Sequence, residues 1–372
     1  MAHLFEPLVL RDITLKNRVA VSPMQTYSAP QARLTPWHLA HLARFALGGA
    51  GLVMVEATAV TPEGRSTPAD LGLWDETQGE ALAGLASLLH DCGAAIGIQL
   101  QHAGHKAASM APWDGFRPMP AEEAWEALGP TPVPMGGARP PRAMTREDMT
   151  QLENAFATAT RHANAAGVDL VEIHMAHGYL LHSFLSPLSN TRDDDFGGSL
   201  ENRMRFPLRV TTAVRAAWPS HKPLACRISC VDGVGIGWSL EESAVLARAL
   251  MGTGVDLIDC SSGGMDLPHR DMLVPRGPSF QVPFARHLRR TTGAAVMAVG
   301  GITLADEAET VVAAGDADLV AIGRQMLADP NWTLNAAREL LPDSGWEQWP
   351  QPFGWWLRRR AAAAWQKNPK AT

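Results

Sequence analysis

The chain has 372 residues, 46% of them hydrophobic, and a net charge of −6 at neutral pH. That balance offers no basic surface for nucleic acid, and no apolar run approaches the length of a membrane span. The first residues, MAHLFEPLVLRDITLKNR, lack an apolar core behind a basic flank, so the expected location is the cytoplasm.

In chain order, short apolar segments recur: KNRVAVSPM, GGAGLVMVEAT, DCGAAIGIQLQHAG, AAGVDLVEIHMAHG, KPLACRISC, GTGVDLIDCSSGG, GAAVMAVGG and AAGDADLVAIGR. Each is rich in Val, Ile, Leu and Ala without polar alternation, as expected of strands buried on both faces. Amphipathic stretches lie between them, among them LAHLARFALGG, LENAFATATRHANAAG and EESAVLARALMGTG. Their closing glycines suit the residue after a helix end. Eight such units predict an α/β fold, a (β/α)8 TIM barrel, with a doubly wound sheet as the alternative because periodicity does not prove closure.

The rhythm breaks after the third strand. Residues 107–143 are rich in Pro, Gly and Trp and too long for a plain connection. Their position predicts a lid over the C-terminal mouth of the barrel, against the alternative of a disordered surface insertion. Trp113 and Trp125 favour an ordered excursion. The four cysteines, Cys92, Cys226, Cys230 and Cys260, form no CxxC pair, which argues against structural zinc or an iron–sulfur cluster and for reduced buried thiols.

Barrel chemistry sits at strand C-termini. Strand one delivers Ser22, Pro23, Met24 and Gln25, with Tyr27 beyond; strand two delivers Glu56, Ala57 and Thr58. Strand three ends in Gln99, Gln101, His102 and His105, and strand four in His174, His177 and Tyr179. Strand five gives Arg227, and strand six Ser261 and Ser262. Strands seven and eight end in Gly300, Gly301, Gly323 and Arg324. Paired glycines with an arginine suit a phosphate. Gln99 and Arg227 suit a planar heterocycle bearing carbonyls. His174, His177 and Tyr179 suit a substrate oxygen that gains negative charge. The chain has only two tyrosines, and both lie in this region. An HxxH pair can bind metal, but no HExxH is present and no metal is expected.

These motifs, above all DLVEIHMAHGYLLHSFLSPLSNTRDDDFGGSLENRMRF, with VEATAVTPEGR, IGIQLQHAG and VAIGRQMLADPNW, resemble the Old Yellow Enzyme family, closest to its bacterial branch related to YqjM and xenobiotic reductase A. The resemblance implies an FMN-containing barrel over residues 1–345, including the 107–143 insertion, followed by a C-terminal extension, 346–372. It implies NAD(P)H as reductant and reduction of activated C=C bonds in small molecules carrying a carbonyl or nitro group. Ser22, Pro23, Met24, Gln25, Ala57, Gln99 and Arg227 would line the flavin ring, and Gly300, Gly301, Gly323 and Arg324 would hold its phosphate. His174 and His177 would bind the substrate oxygen, Tyr27 and Trp356 would help to position substrate, and Tyr179 would donate the proton. A homodimer or homotetramer is expected. Where the branch has cysteine after SPM, this chain has Gln25, and its C-terminal part is longer. Rival readings are a flavin-dependent dehydrogenase, oxidase or desaturase on the same barrel, or a non-catalytic flavin-binding protein.

Overall fold

A computed structural model describes residues 2–135, 137 and 139–363. Eight parallel strands close into a barrel: β1 (Val19–Val21), β2 (Leu52–Ala59), β3 (Ala95–Gln101), β4 (Leu170–Met175), β5 (Leu224–Ser229), β6 (Leu257–Ser261), β7 (Val296–Val299) and β8 (Leu319–Ile322). Each pairs with the next in chain order, and β8 returns to β1 with Val320 opposite Val19. The closed ring excludes the doubly wound sheet.

The outer layer is formed by α1 (Pro36–Leu47), α2 (Glu76–Asp91), α3 (Arg146–Ala165) and, after the short and wholly buried α4 (Leu180–Leu185), by α5 (Leu200–Ala217), α6 (Leu240–Gly252), α7 (Val282–Thr292) and α8 (Ala305–Ala313). Their starts are written locally. Asp75 with Gln78, Thr145 with Asp148 and Ser239 with Glu242 each form a reciprocal capping box at the head of α2, α3 and α6. Such a cap is worth about 0.5–2 kcal/mol. Just past α3 and α6, Gly167 (φ 84°) and Gly254 (φ 92°) take the left-handed turn that a Cβ would penalise.

Two apolar layers result. Inside the barrel, Ala20, Leu52, Met54, Leu170, Leu257 and Leu319 pack together with Leu10 and Leu15. The last two come from an antiparallel hairpin, Leu8–Leu10 with Ile13–Leu15, which plugs the N-terminal end. Between strands and helices lies a larger core holding Phe45, Phe156 and Phe206, all fully buried. With the lower interior filled, the C-terminal end is left for polar residues. In β2 the register against β3 slips by one residue between Val55 and Thr58. This bulge falls at Glu56 and Ala57, and bulges re-aim side chains near sites.

The 107–143 excursion is ordered wherever it is described. A two-stranded parallel pair, Leu128–Gly129 with Arg142–Ala143, ties its interior to its C-terminal end. The Arg65 guanidinium lies 4.8 Å over the Trp125 ring, and Thr131 donates to the Ser189 carbonyl at 2.6 Å. Beyond β8 come α9 (Arg324–Ala328), α10 (Trp332–Leu340) and α11 (Gln351–Ala362). Residues 364–372 of the expected extension lie outside the described residues.

Candidate active site

Strand register decides which polar side chains meet at the barrel mouth. Gln99 is opposite Glu172, His174 opposite Arg227, and Arg227 opposite Asp259. Residues two apart on a strand share a face, so all five point inward above the apolar layer. Gln99 Nε2 donates to Glu172 Oε1 at 2.7 Å. Arg227 Nη1 donates to Ser22 Oγ at 3.2 Å, and its Nε forms an ion pair with Asp259 Oδ2 at 3.2 Å. Glu172 and Asp259 are fully buried. Burial, then the neighbouring Asp259 charge, push the Glu172 carboxyl up to about 8. Burial likewise raises Asp259, against the pull of Arg227. Two carboxyls share one guanidinium in a dry setting, so one proton is retained at neutral pH.

The end of β4 is a pinned turn. His177 has φ 59° and Gly178 φ 74°. A non-glycine residue in this region is strained and needs outside support. The His177 N–H donates to Ser229 Oγ at 2.9 Å, and the Gly178 N–H to His182 Nδ1 at 2.8 Å. His182 in turn pairs with the buried Asp232 at 2.9 Å. Lys106 Nζ donates to the carbonyls of His177 and Gly264. Gly264 has no alternative here, since a Cβ would lie 2.2 Å from the His177 backbone.

This turn holds three rings together. The His174 and His177 centroids are 5.1 Å apart, and His174 and Tyr179 are 4.9 Å apart. Burial, reinforced by the Arg227 charge, holds both imidazoles well below their ordinary pKa, so they are neutral donors and acceptors. His177 Nε2 is 2.6 Å from Ser261 Oγ. The same hydroxyl is 3.4 Å from Gln281 Oε1, a much poorer bond. On those distances we assign the Ser261 proton to His177 Nε2, which makes Nδ1–H the free donor of His177. Burial pushes the Tyr179 phenol up to about 12, so it stays protonated at neutral pH. Its O–H is 3.5 Å from Gln25 Oε1.

The other residues that the resemblance assigned to flavin or substrate fall as follows. Ser22, Met24, Gly300, Gly301, Gly323 and Arg324 line one cavity of about 460 Å³. His177, Ser261, Gly300 and Arg324 also border an adjoining cavity of about 610 Å³. Tyr27 (φ 51°) carries the Trp113 ring edge-on at 5.6 Å, so the excursion reaches the mouth. Ala57 is buried at the β2 bulge, and Pro23 is half-buried beyond β1. Trp356 is apart from these groups. It lies on α11, is 68% exposed, and its ring contacts Trp355.

Several residues at the mouth were not singled out by sequence reasoning. Glu172 and Asp259 are single charges inside apolar strand runs, and that oddity was the available signal. Lys106 and Ser229 act on backbone atoms, which no motif announces. Burial lowers the Lys106 ammonium to about 8 against the opposing charge of Asp266.

Bound FMN can be tested against this donor set. Gln25 Nε2 and His174 Nδ1 are buried without a hydrogen-bond partner among the described residues. Such groups cost free energy unless something else meets them. A flat ring bearing carbonyls and ring nitrogens would meet Gln25 Nε2, and the glycine-lined cavity with Arg324 would take a phosphate tail. Among the described residues, no group of three or more His, Cys, Asp or Glu side chains is arranged to hold a metal ion. Fold and donor set together fit a barrel enzyme with room at its mouth for a planar, phosphate-bearing cofactor.

The comparisons agree. Residues 3–343 match the NADH:flavin oxidoreductase / NADH oxidase family. An NADPH dehydrogenase of Geobacillus thermodenitrificans is 42% identical over 340 residues, covering 91% of this chain and 94% of that one. An NADPH dehydrogenase of Bacillus subtilis is 42% identical over 339 residues, covering 91% and 95%. Morphinone reductase superposes with a TM-score of 0.75 over 91% of this chain and 89% of that one; at 24% identity this is a likeness of fold. The 2-naphthoyl-CoA reductase complex gives a TM-score of 0.80 at 26% identity, over 88% of this chain and 51% of that one, so this chain spans about half of it. The chain belongs to the NADH:flavin oxidoreductase / NADH oxidase family, of the Old Yellow Enzyme type. It is a flavin-dependent oxidoreductase that uses FMN, with NAD(P)H as reductant.

Proposed function

We propose that this enzyme reduces activated C=C bonds, as in enones and nitroalkenes. The observation that carries the reading is the packed set of His174, His177 and Tyr179, two neutral imidazoles and a protonated phenol at the barrel mouth. When bound, FMN supplies the hydride chemistry, taking hydride from NAD(P)H and giving it to the β-carbon of the alkene. The ring would lie against Ser22, Pro23, Met24, Gln25, Ala57, Gln99 and Arg227, with its phosphate at Gly300, Gly301, Gly323 and Arg324. Arg227 would counter the negative charge of the reduced ring.

His174 and His177 would hydrogen-bond the substrate's carbonyl or nitro oxygen and draw electron density from the alkene. Neutral imidazoles suit this, because they donate without repelling Arg227. Tyr179 would give its proton to the α-carbon, and a phenol near 12 is matched to an enolate-like acceptor. Tyr27, capped by Trp113, would bound the substrate space under the 107–143 lid. Trp356 could approach a site only from a second copy of the chain. The exposed Phe353, Trp355 and Trp356 on α11 offer an apolar surface on which a homodimer or homotetramer would build. Buried free Cys226, Cys230 and Cys260 fit a reducing cytoplasm.

The test is NADPH oxidation with and without 2-cyclohexenone. We expect the enone to accelerate oxidation and to yield the saturated ketone in equal amount. Oxidation driven by oxygen alone, with the enone unreduced, would favour the oxidase reading.

A further inference from the structure

The flavin edge is to be read by Gln99, yet glutamine is ambiguous. Its amide presents either a donor or an acceptor, depending on which end faces the ligand. Glu172 removes the ambiguity. It is fully buried, sits opposite Gln99 in register, and its Oε1 accepts from Gln99 Nε2 at 2.7 Å. Glu172 Oε2 has no hydrogen-bond partner among the described residues, so this oxygen is where a retained proton would sit. With the proton there, Oε1 remains an acceptor; with the proton lost, it is a stronger one. In both states the Gln99 amide nitrogen is held toward Glu172 and its carbonyl oxygen is turned away.

We propose that Glu172 is a positioning residue that locks the Gln99 amide, so that the chain offers the cofactor's pyrimidine edge an acceptor at Gln99 beside a donor at Arg227. That pattern is complementary to a ring N–H flanked by a carbonyl, as in the oxidised flavin. The inference rests on the proposed placement of the flavin ring against Gln99 and Arg227. Its chemistry is one of selection: an amide free to rotate would present N–H to N–H for part of the time.

FMN affinity of the full chain, measured by quenching of flavin fluorescence, reads this directly. Glu172→Leu removes the acceptor and should weaken FMN binding roughly tenfold. Glu172→Gln keeps an acceptor in the same position and should stay within about threefold of the wild type. The double variant Gln99→Leu/Glu172→Leu should bind no more weakly than Gln99→Leu alone, because Glu172 acts through Gln99. Unchanged affinity in Glu172→Leu, or losses that add in the double variant, would overturn the proposal. Equal weakening by Leu and Gln at 172 would also overturn it, since charge rather than an acceptor would then matter. Should Glu172→Leu not fold, ¹⁵N-labelled FMN in the wild type decides. Its N3–H proton should lie downfield of that in Gln99→Leu, and coincident resonances would overturn the proposal. Failure of the wild type to bind FMN at all would instead remove the flavin placement, and this inference with it.

Discussion

At the residue scale, Tyr179 and Gln25 each make a separable claim. Tyr179→Phe should leave reduction by NADPH nearly unchanged and slow enone turnover by roughly 10²-fold, since only the second step needs its proton. Stopped-flow rates of the two half-reactions check this, and equal slowing of both would assign Tyr179 a structural role. For Gln25, the Tyr179 O–H faces Oε1 and Nε2 is left buried without a partner. A donor there would favour the more negative, reduced flavin. Replacing it by Cys should lower the two-electron potential by roughly 30–65 mV, the equivalent of a charge-assisted hydrogen bond. Dye-equilibration titration reads the shift, and a change under about 10 mV or a rise contradicts it. The strand-end histidines, tyrosines and Arg227 were legible because a strand's last residues are fixed by its apolar run. Glu172 and Asp259 were not, because one carboxyl among mostly apolar strand neighbours is outvoted in any pattern.

At the element scale, the barrel strands were readable as uniform apolar runs, and the helix ends as glycines and caps. The excursion was readable only as a break in that rhythm. Its order comes from contacts distant in sequence, such as Ser109 N–H to the Ser66 carbonyl at 2.7 Å and Trp113 against Tyr27. Those contacts predict the behaviour of a lid. Limited proteolysis should cut first within 107–143, and FMN with a bound phenol should slow that cut several-fold. A cleavage rate indifferent to both ligands would make the excursion a surface insertion. Trp356 shows the limit of such reading: its position in the sequence suggested a site, whereas α11 carries it into solvent within one chain.

At the scale of the whole molecule, buried titratable groups at the mouth write a pH signature. The raised Glu172 carboxyl holds a proton when folded that the unfolded chain releases above its ordinary value near 4.5. Its contribution to stability is therefore complete at low pH and is lost as pH rises toward about 8. Stability should therefore fall as pH rises from 6.5 to 8, by at most about 1.4 kcal/mol per unit. Glu172→Gln should abolish this fall, which urea unfolding of both proteins at equal FMN concentration will read. His174 and His177 act in the opposite sense: the unfolded chain gains protons below about 6.5 that the folded site refuses, so acid destabilises.

As proposed, one barrel mouth carries hydride from NAD(P)H to an activated alkene through FMN, with His174 and His177 holding the substrate oxygen. The most direct measurement is anaerobic. The FMN-loaded protein is reduced with one equivalent of NADPH and then mixed with 2-cyclohexenone while flavin absorbance is followed. The expected result is bleaching, then full recovery with one equivalent of cyclohexanone, and in a His174→Ala/His177→Ala variant bleaching without efficient recovery. A reduced flavin that oxygen reoxidises but the enone does not, or a double variant that recovers as fast as the wild type, would contradict it.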